Sequence, residues 1–172
     1  WNTTTKTAVA GNRPTEPVTP DADAIDGAAR ALASGQPCTI YLGGRLSESR
    51  VRTAGRIAAA TGAQIIGSTW APRQEMGAGR TPIRRLAYFG EQAAEQLDGT
   101  EHMIVIGATP PVTFFAYPDK PNWLTPDGAE IYEICDKSGD IDVALDALCD
   151  AVGASGHEPA QWELARPELP SG

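Results

Sequence analysis

The chain has 172 residues, of which 41% are hydrophobic, and a formal net charge of −8. That length suits one domain with its own core, since a chain of about 150 residues buries roughly 70% of its unfolded surface. The acidic balance excludes nucleic acid and anionic membrane surfaces as natural partners, because the counterion release that drives such contacts needs clustered Lys and Arg.

The nearest approach to a basic cluster is Arg45, Arg50, Arg52 and Arg56, which reads as the solvated face of one helix. Cys38, Cys135 and Cys149 show no C-x-x-C spacing and fall in or beside apolar runs. Buried free thiols and a reducing cytoplasm are expected. No apolar run approaches the ~18 residues that span a bilayer. The start at Trp1 has neither the blocks of a signal peptide nor an initiator Met. With the Pro-containing ends, this predicts a segment of a longer polypeptide.

Residues 1–18 carry Gly11, Pro14 and Pro17 without a period of 2 or 3.6, and are expected to form a linker. Thr19-Pro20 predicts the N-cap and first residue of a helix with Ile25, Ala28, Ala29 and Leu32 on its apolar face, ending at Gly35. Cys38–Leu42 is a continuous apolar strand before Gly43-Gly44. Ser47 then caps a helix with Val51, Ala54, Gly55 and Ala58 on one side, stopped by Gly62, and Ala63–Ile66 reads as a strand. Residues 67–90 are punctuated by glycine and proline, and an irregular stretch of that length is usually functional or hides a short element; Pro82–Leu86 is the candidate turn or short helix.

A helix over Glu91–Leu97, closed by Gly99, and a strand over Met103–Ile106 follow. Pro110–Pro126 concentrates prolines with Phe114, Phe115, Tyr117 and Trp123, and the stretch Phe114–Leu124 is expected to be a contact surface. After the strand Ile131–Cys135, Asp140 caps a helix with Ile141, Ala144, Leu145, Leu148 and Val152 at helical spacing. Residues 153–172 read as a linker or tail. Helices alternating with short continuous apolar strands predict an α/β fold, a parallel sheet covered on both faces across residues 19–152.

In such a sheet ligands sit beyond the carboxyl ends of the strands, where glycine lets backbone amides approach a phosphate. Gly43 and Gly44, and Gly107 and Ala108, stand at two of these ends. Each pair suits either pyrophosphate binding or a tight turn. Asp136, at a third strand end, suits either a ribose diol or a turn with Lys137-Ser138-Gly139. Catalytic machinery is thin: His102 begins a strand, His157 lies in the tail, and neither joins a nucleophile or a metal-ligand spacing. No catalytic residue and no metal ligand is assigned.

The order Pro37-Cys-Thr-Ile-Tyr-Leu-Gly-Gly44, Ala58-Ala-Ala-Thr-Gly-Ala-Gln-Ile-Ile66, His102-Met-Ile-Val-Ile-Gly-Ala108, Glu130-Ile-Tyr-Glu-Ile-Cys-Asp136 and Asp140-Ile-Asp-Val-Ala-Leu-Asp-Ala-Leu148 resembles the central domain of thiamine-diphosphate-dependent enzymes. The nearest groups are the acetolactate synthase-like and benzoylformate decarboxylase-like proteins. The resemblance implies a Rossmann-like fold between a pyrimidine-binding and a diphosphate-binding domain of the same polypeptide, in a homo-oligomer. It also implies a parent lyase or transferase that decarboxylates or carboligates 2-oxo acids.

Thiamine diphosphate and Mg²⁺ are then held by the outer domains, through a glutamate and a Gly-Asp-Gly to Asn-Asn motif that this sequence lacks. Asp119 and Asp127-Gly128 do not supply the motif. Flavin-dependent relatives place FAD, and others ADP, in the central domain, which maps cofactor contacts onto Gly43, Gly44, Gly107, Ala108 and Asp136. Ala78–Glu91 replaces the flavin-binding stretch, and Gly107-Ala-Thr-Pro-Pro111 lacks the phosphate-binding Arg. A structural central domain is the resulting expectation. The alternative is a free-standing FAD/ADP-binding or electron-transfer module.

Overall fold

The structure is a computed structural model that describes residues 16–115, 118–120 and 122–163. Nearly all of the expected linker over residues 1–18, and Tyr117 of the expected contact surface, lie outside them.

Five strands, β1 (Cys38–Leu42), β2 (Gln64–Gly67), β3 (Arg84–Arg85), β4 (His102–Ile106) and β5 (Glu130–Cys135), form one parallel sheet in the order β3-β2-β1-β4-β5. The registers Ile40↔Ile65, Ile40↔Ile104 and Ile104↔Tyr132 place the most apolar strands at the centre. Every residue of β1 is buried. A central parallel strand has both faces covered, so it needs apolar residues at consecutive rather than alternate positions.

Helices α1 (Ala22–Ala33), α2 (Glu48–Thr61) and α4 (Ile141–Ala151) cover one face, where Ile40, Leu42, Ile104, Ile106 and Ile134 meet Ala28, Leu32, Ala54, Ile57, Leu145 and Leu148. The other face gathers Tyr41, Ile66, Met103 and Val105 under α3 (Gly90–Leu97), through Ala93 and Leu97, with Leu86 and Leu124 added from loops. Each such fully buried Leu or Ile contributes about 1.5–3 kcal/mol relative to an exposed one.

The helix ends follow local chemistry. Helix α1 starts two residues later than Thr19 predicts, because the Asp21 carboxylate accepts from the amides of Asp23 (2.9 Å) and Ala24 (3.3 Å). Its Gly27 lies against the ring of Tyr132, so the helix sits close on β5. Helix α2 ends at Gly62 with φ 78°, a left-handed position suited to glycine. Asp140 caps α4 by accepting from Val143 N–H at 3.2 Å.

Three features differ from the expectations. The element within residues 67–90 is the two-residue strand β3, paired through Ile66↔Arg84, rather than a turn or helix over Pro82–Leu86. Val18 is attached to the β5–α4 turn, donating to Ser138 O at 3.1 Å and accepting from Asp140 N–H at 3.0 Å. Residues 153–163 lie on the body, with Ala154 and Pro159 buried and Trp162 exchanging backbone bonds with residues 79 and 80 at 2.9 and 2.8 Å.

Candidate functional site

Strand order reverses between β1 and β4, since the chain runs outward from β1 through β2 to β3 and returns through α3 to β4 on the other side. The crevice beyond their carboxyl ends is the place where such sheets accept ligands. A cavity of about 470 Å³ lies there, lined among others by Gly43, Gly44, Thr69, Trp70, Gly107 and Lys137. Four of the five residues predicted from sequence, Gly43, Gly44, Gly107 and Ala108, line it. Asp136 does not; its neighbour Lys137 does.

The glycines are used internally. Gly43 N–H donates to Ile106 O at 2.9 Å and Gly107 N–H to Cys135 O at 2.8 Å, so both amides complete the sheet. A Cβ on Gly43 would collide with the Gly107 carbonyl, and one on Gly44 would stand 2.7 Å from Ile141 Cδ1. A Cβ on Gly107 would strike the same Ile141 side chain. Gly44 and Gly107 also have positive φ, 64° and 69°. Close packing of β1, β4 and the first residue of α4 is therefore sufficient reason for these glycines.

Asp136 Oδ1 accepts from the Ser138 amide at 2.8 Å and the Ser138 hydroxyl at 2.6 Å. The Ser138 hydroxyl, then its amide, holds this carboxyl below its ordinary value. It is the turn geometry that Asp136 serves here.

At the start of α2, Ser47 makes no side-chain cap; its hydroxyl lies 3.0 Å from that of Ser49. The Glu48 amide donates instead to Glu75 Oε2 at 3.0 Å. That bond is the main reason the Glu75 carboxyl is held below its ordinary value, with Arg73 and Arg45 adding to it. Arg50 departs from the expected solvated face. Its side chain is 20% exposed and makes a two-pronged contact with Asp142, at 2.8 and 2.7 Å, because α4 brings a carboxylate within reach. Sequence reasoning missed Glu75 as a neighbour of the crevice, its only signal being the long irregular stretch over residues 67–90, and it named Lys137 and Ile141 only as turn and helix residues.

The histidines stay apart from the crevice. His102, at the amino end of β4, faces Gln36 Oε1 at 2.8 Å, and His157 lies exposed in the segment after α4. The cysteines are free; burial raises the thiols of Cys38 and Cys135 above their ordinary value. Among the described residues no group of three His, Cys, Asp or Glu is placed to hold a metal ion. Among them, too, no helix is long and apolar enough to cross a membrane.

Beside the crevice Trp70, Tyr88, Phe89, Phe114 and Phe115 form a continuous group of rings, with centroids 5.1 Å apart for Trp70–Phe114 and 4.8 Å for Phe114–Phe115. Trp70 is 57% exposed, Phe89 61% and Phe114 62%. Leu124, expected on the same surface, is buried under the sheet instead.

Comparison with known proteins bears on what this fold belongs to. No family model matches the chain. It is 42% identical over 145 residues to a Mycobacterium tuberculosis protein provisionally named acetolactate synthase large subunit IlvX, covering 84% of this chain and 28% of that protein. Over most of its length the chain is therefore similar to one part of that acetolactate synthase-like protein.

Two solved structures share its fold at 17% identity. One is the Rhodococcus jostii thiamine diphosphate-dependent 4-hydroxybenzoylformate decarboxylase, with a TM-score of 0.56 over 93% of this chain and 33% of that one. The other is a Mycobacterium smegmatis protein, provisionally a thiamin diphosphate-dependent enzyme, with a TM-score of 0.55 over 96% of this chain and 34% of that one. The chain thus spans about a third or less of the proteins it matches. These matches do not support the alternative of a free-standing FAD/ADP-binding or electron-transfer module.

Proposed function

We propose that the chain serves as the central, structural domain of a thiamine-diphosphate-dependent enzyme that decarboxylates or carboligates 2-oxo acids in the cytoplasm. The observation that carries this reading is the 42% identity to one part of a much longer acetolactate synthase-like protein. Thiamine diphosphate and Mg²⁺ would be held by flanking pyrimidine- and diphosphate-binding domains, since the match covers only 28% of the relative and leaves room for them. The domain's own work would be to join those domains and to build subunit contacts in a homo-oligomer through the exposed rings around Trp70 and Phe114.

Two measurements test the reading. Residues 1–172 titrated with thiamine diphosphate and Mg²⁺ in a calorimeter should give no heat of binding. The native protein, purified from its source and weighed intact, should exceed this chain in mass and turn over pyruvate or benzoylformate. Saturable micromolar binding by residues 1–172, worth about 8 kcal/mol, would overturn the division of labour, and a native protein of this length would overturn the parent enzyme.

Whether the crevice cavity admits an adenine nucleotide such as FAD or ADP against Gly43, Gly44, Gly107 and Ala108 is a separate question, since Asp136 stands outside its lining. A ligand at 100 times its dissociation constant adds about 2.7 kcal/mol of stability. Thermal melts with millimolar FAD, ADP and NAD therefore decide it.

A further inference from the structure

We propose that Glu75 is a built-in substitute for a nucleotide diphosphate: its carboxylate occupies the N-terminus of α2 at the switch point of the sheet, and the chain thereby excludes dinucleotides from the place where this topology would seat them. The inference concerns the crevice alone and does not depend on what the parent protein catalyses.

In a sheet of this order a diphosphate is held by the amides at the start of the helix that follows the first strand. Here that helix is α2, and its Glu48 amide already donates to Glu75 Oε2 at 3.0 Å. The other carboxylate oxygen lies 3.6 Å from Arg45 Nη2 and 3.5 Å from Arg73 Nη2. A helix amide and two guanidinium groups converging on two oxygens is the donor set that recognises a phosphate, and here all three face one side chain. Ser47 leaves the position open by turning its hydroxyl to Ser49.

Glu75 is held there by its backbone. Leu46 N–H donates to Arg73 O at 2.8 Å, and Glu75 N–H donates to Leu46 O at 2.9 Å, so residues 73–75 are laced to the β1–α2 loop. The rest of the approach is closed as well. Ile141 covers Gly44 and Gly107, and Arg50, beside Gly44, is taken by Asp142. An incoming diphosphate would also meet the Glu48 carboxylate, which Arg80 pairs at 3.3 Å. None of Ser47, Glu48 and Glu75 lines the adjoining cavity, so the cavity does not reach the amide that Glu75 occupies.

The test uses inorganic pyrophosphate and ADP as probes, with melting temperature and the ¹⁵N–¹H resonance of Glu48 as readouts, on the parent chain, Glu75→Ala and Glu75→Gln. The parent should show no melting shift with either probe at millimolar concentration, and its Glu48 resonance should stay in place. Glu75→Ala should melt lower than the parent and be restored by pyrophosphate. Its Glu48 resonance should move with saturation, at an affinity at least about tenfold above the parent's, and Arg45→Ala added to it should abolish the gain. If Glu75→Ala does not fold, Glu75→Gln, which keeps an acceptor for the Glu48 amide and removes the charge, must show the same gain. Saturable binding of either probe to the parent that moves the Glu48 resonance overturns the proposal. So does a folded Glu75 variant with no gain, or with a gain that leaves Glu48 unmoved.

Discussion

Arg50 and Asp142 tie the first turns of α2 and α4 together beside Gly44, and the pair shows how a surface-looking arginine becomes part of a joint. The Arg50 hydrogen bond, then its charge, holds the Asp142 carboxyl below its ordinary value. Asp142 is 57% exposed, so solvent screens the interaction and Asp142→Asn should cost only about 0.2–1 kcal/mol. The folded carboxyl titrates below its unfolded value, so the contribution is present above that value and is lost as pH falls through the folded one. Urea midpoints of parent and Asp142→Asn should therefore differ at neutral pH and converge as pH falls below the ordinary carboxylate range; a gap that persists in strong acid would refute the assignment.

Gly43 makes a second case at the same scale. A Cβ there meets the Gly107 carbonyl, which is backbone and cannot swing aside, so Gly43→Val should lose about 1–3 kcal/mol or more without any ligand present. An unchanged denaturation midpoint would count against the packing role. The sequence displays the glycine but not the neighbour that demands it, and for that reason its residues alone left turn and phosphate roles equally open.

Among elements, what could be read in advance tracks where the structural information resides. β1, β4 and α4 carry it themselves, in continuous apolar runs and in the helical spacing of Ile141, Ala144, Leu145 and Leu148, all buried. β3 does not: Arg84 and Arg85 are exposed and polar, and the strand exists because β2 offers it an edge. Residues 153–163 have no period either, and they are held by Pro159 against α2 and by Trp162 against residues 79 and 80.

Gly55 measures that attachment. Glycine in a helix interior costs about 0.5–1 kcal/mol relative to alanine, so propensity alone would make Gly55→Ala stabilising. Its Cβ, however, would stand 2.6 Å from Thr81 Cγ2 and 2.7 Å from Pro159 Cβ. Overpacking of that kind costs about 1–3 kcal/mol and should win. The full chain should melt lower as Gly55→Ala. In a chain ending at residue 153, where Pro159 is gone, the loss should shrink, and an equal loss in both would show that only Thr81 matters.

For the whole molecule, the family resemblance was legible because several weak motifs occur in the right order, whereas partners and substrate were not, since the match covers only 28% of the M. tuberculosis relative. What the molecule displays toward a partner is the group of rings at one end of the sheet. Trp70, Phe89 and Phe114 expose more than half of their surface although Trp70 touches Phe114 and Phe89 touches Tyr88, and Lys120 and Glu91 form an ion pair beside them. Contiguous exposed apolar patches larger than a few hundred Å² are uncommon on soluble monomers, and aromatic side chains dominate the energetics of interfaces. Core capping would account for the rings only if they were buried, as Leu124 is.

Phe89→Ser combined with Phe114→Ser should therefore weaken self-association in sedimentation experiments while leaving the melting temperature nearly unchanged, because neither ring supports the sheet. Each lost aromatic anchor should cost the contact about 2 kcal/mol or more, roughly thirtyfold in dissociation constant. A strictly monomeric parent together with a double variant that melts far lower would place these rings in the domain's own stability and remove the case for a subunit contact at this end of the sheet.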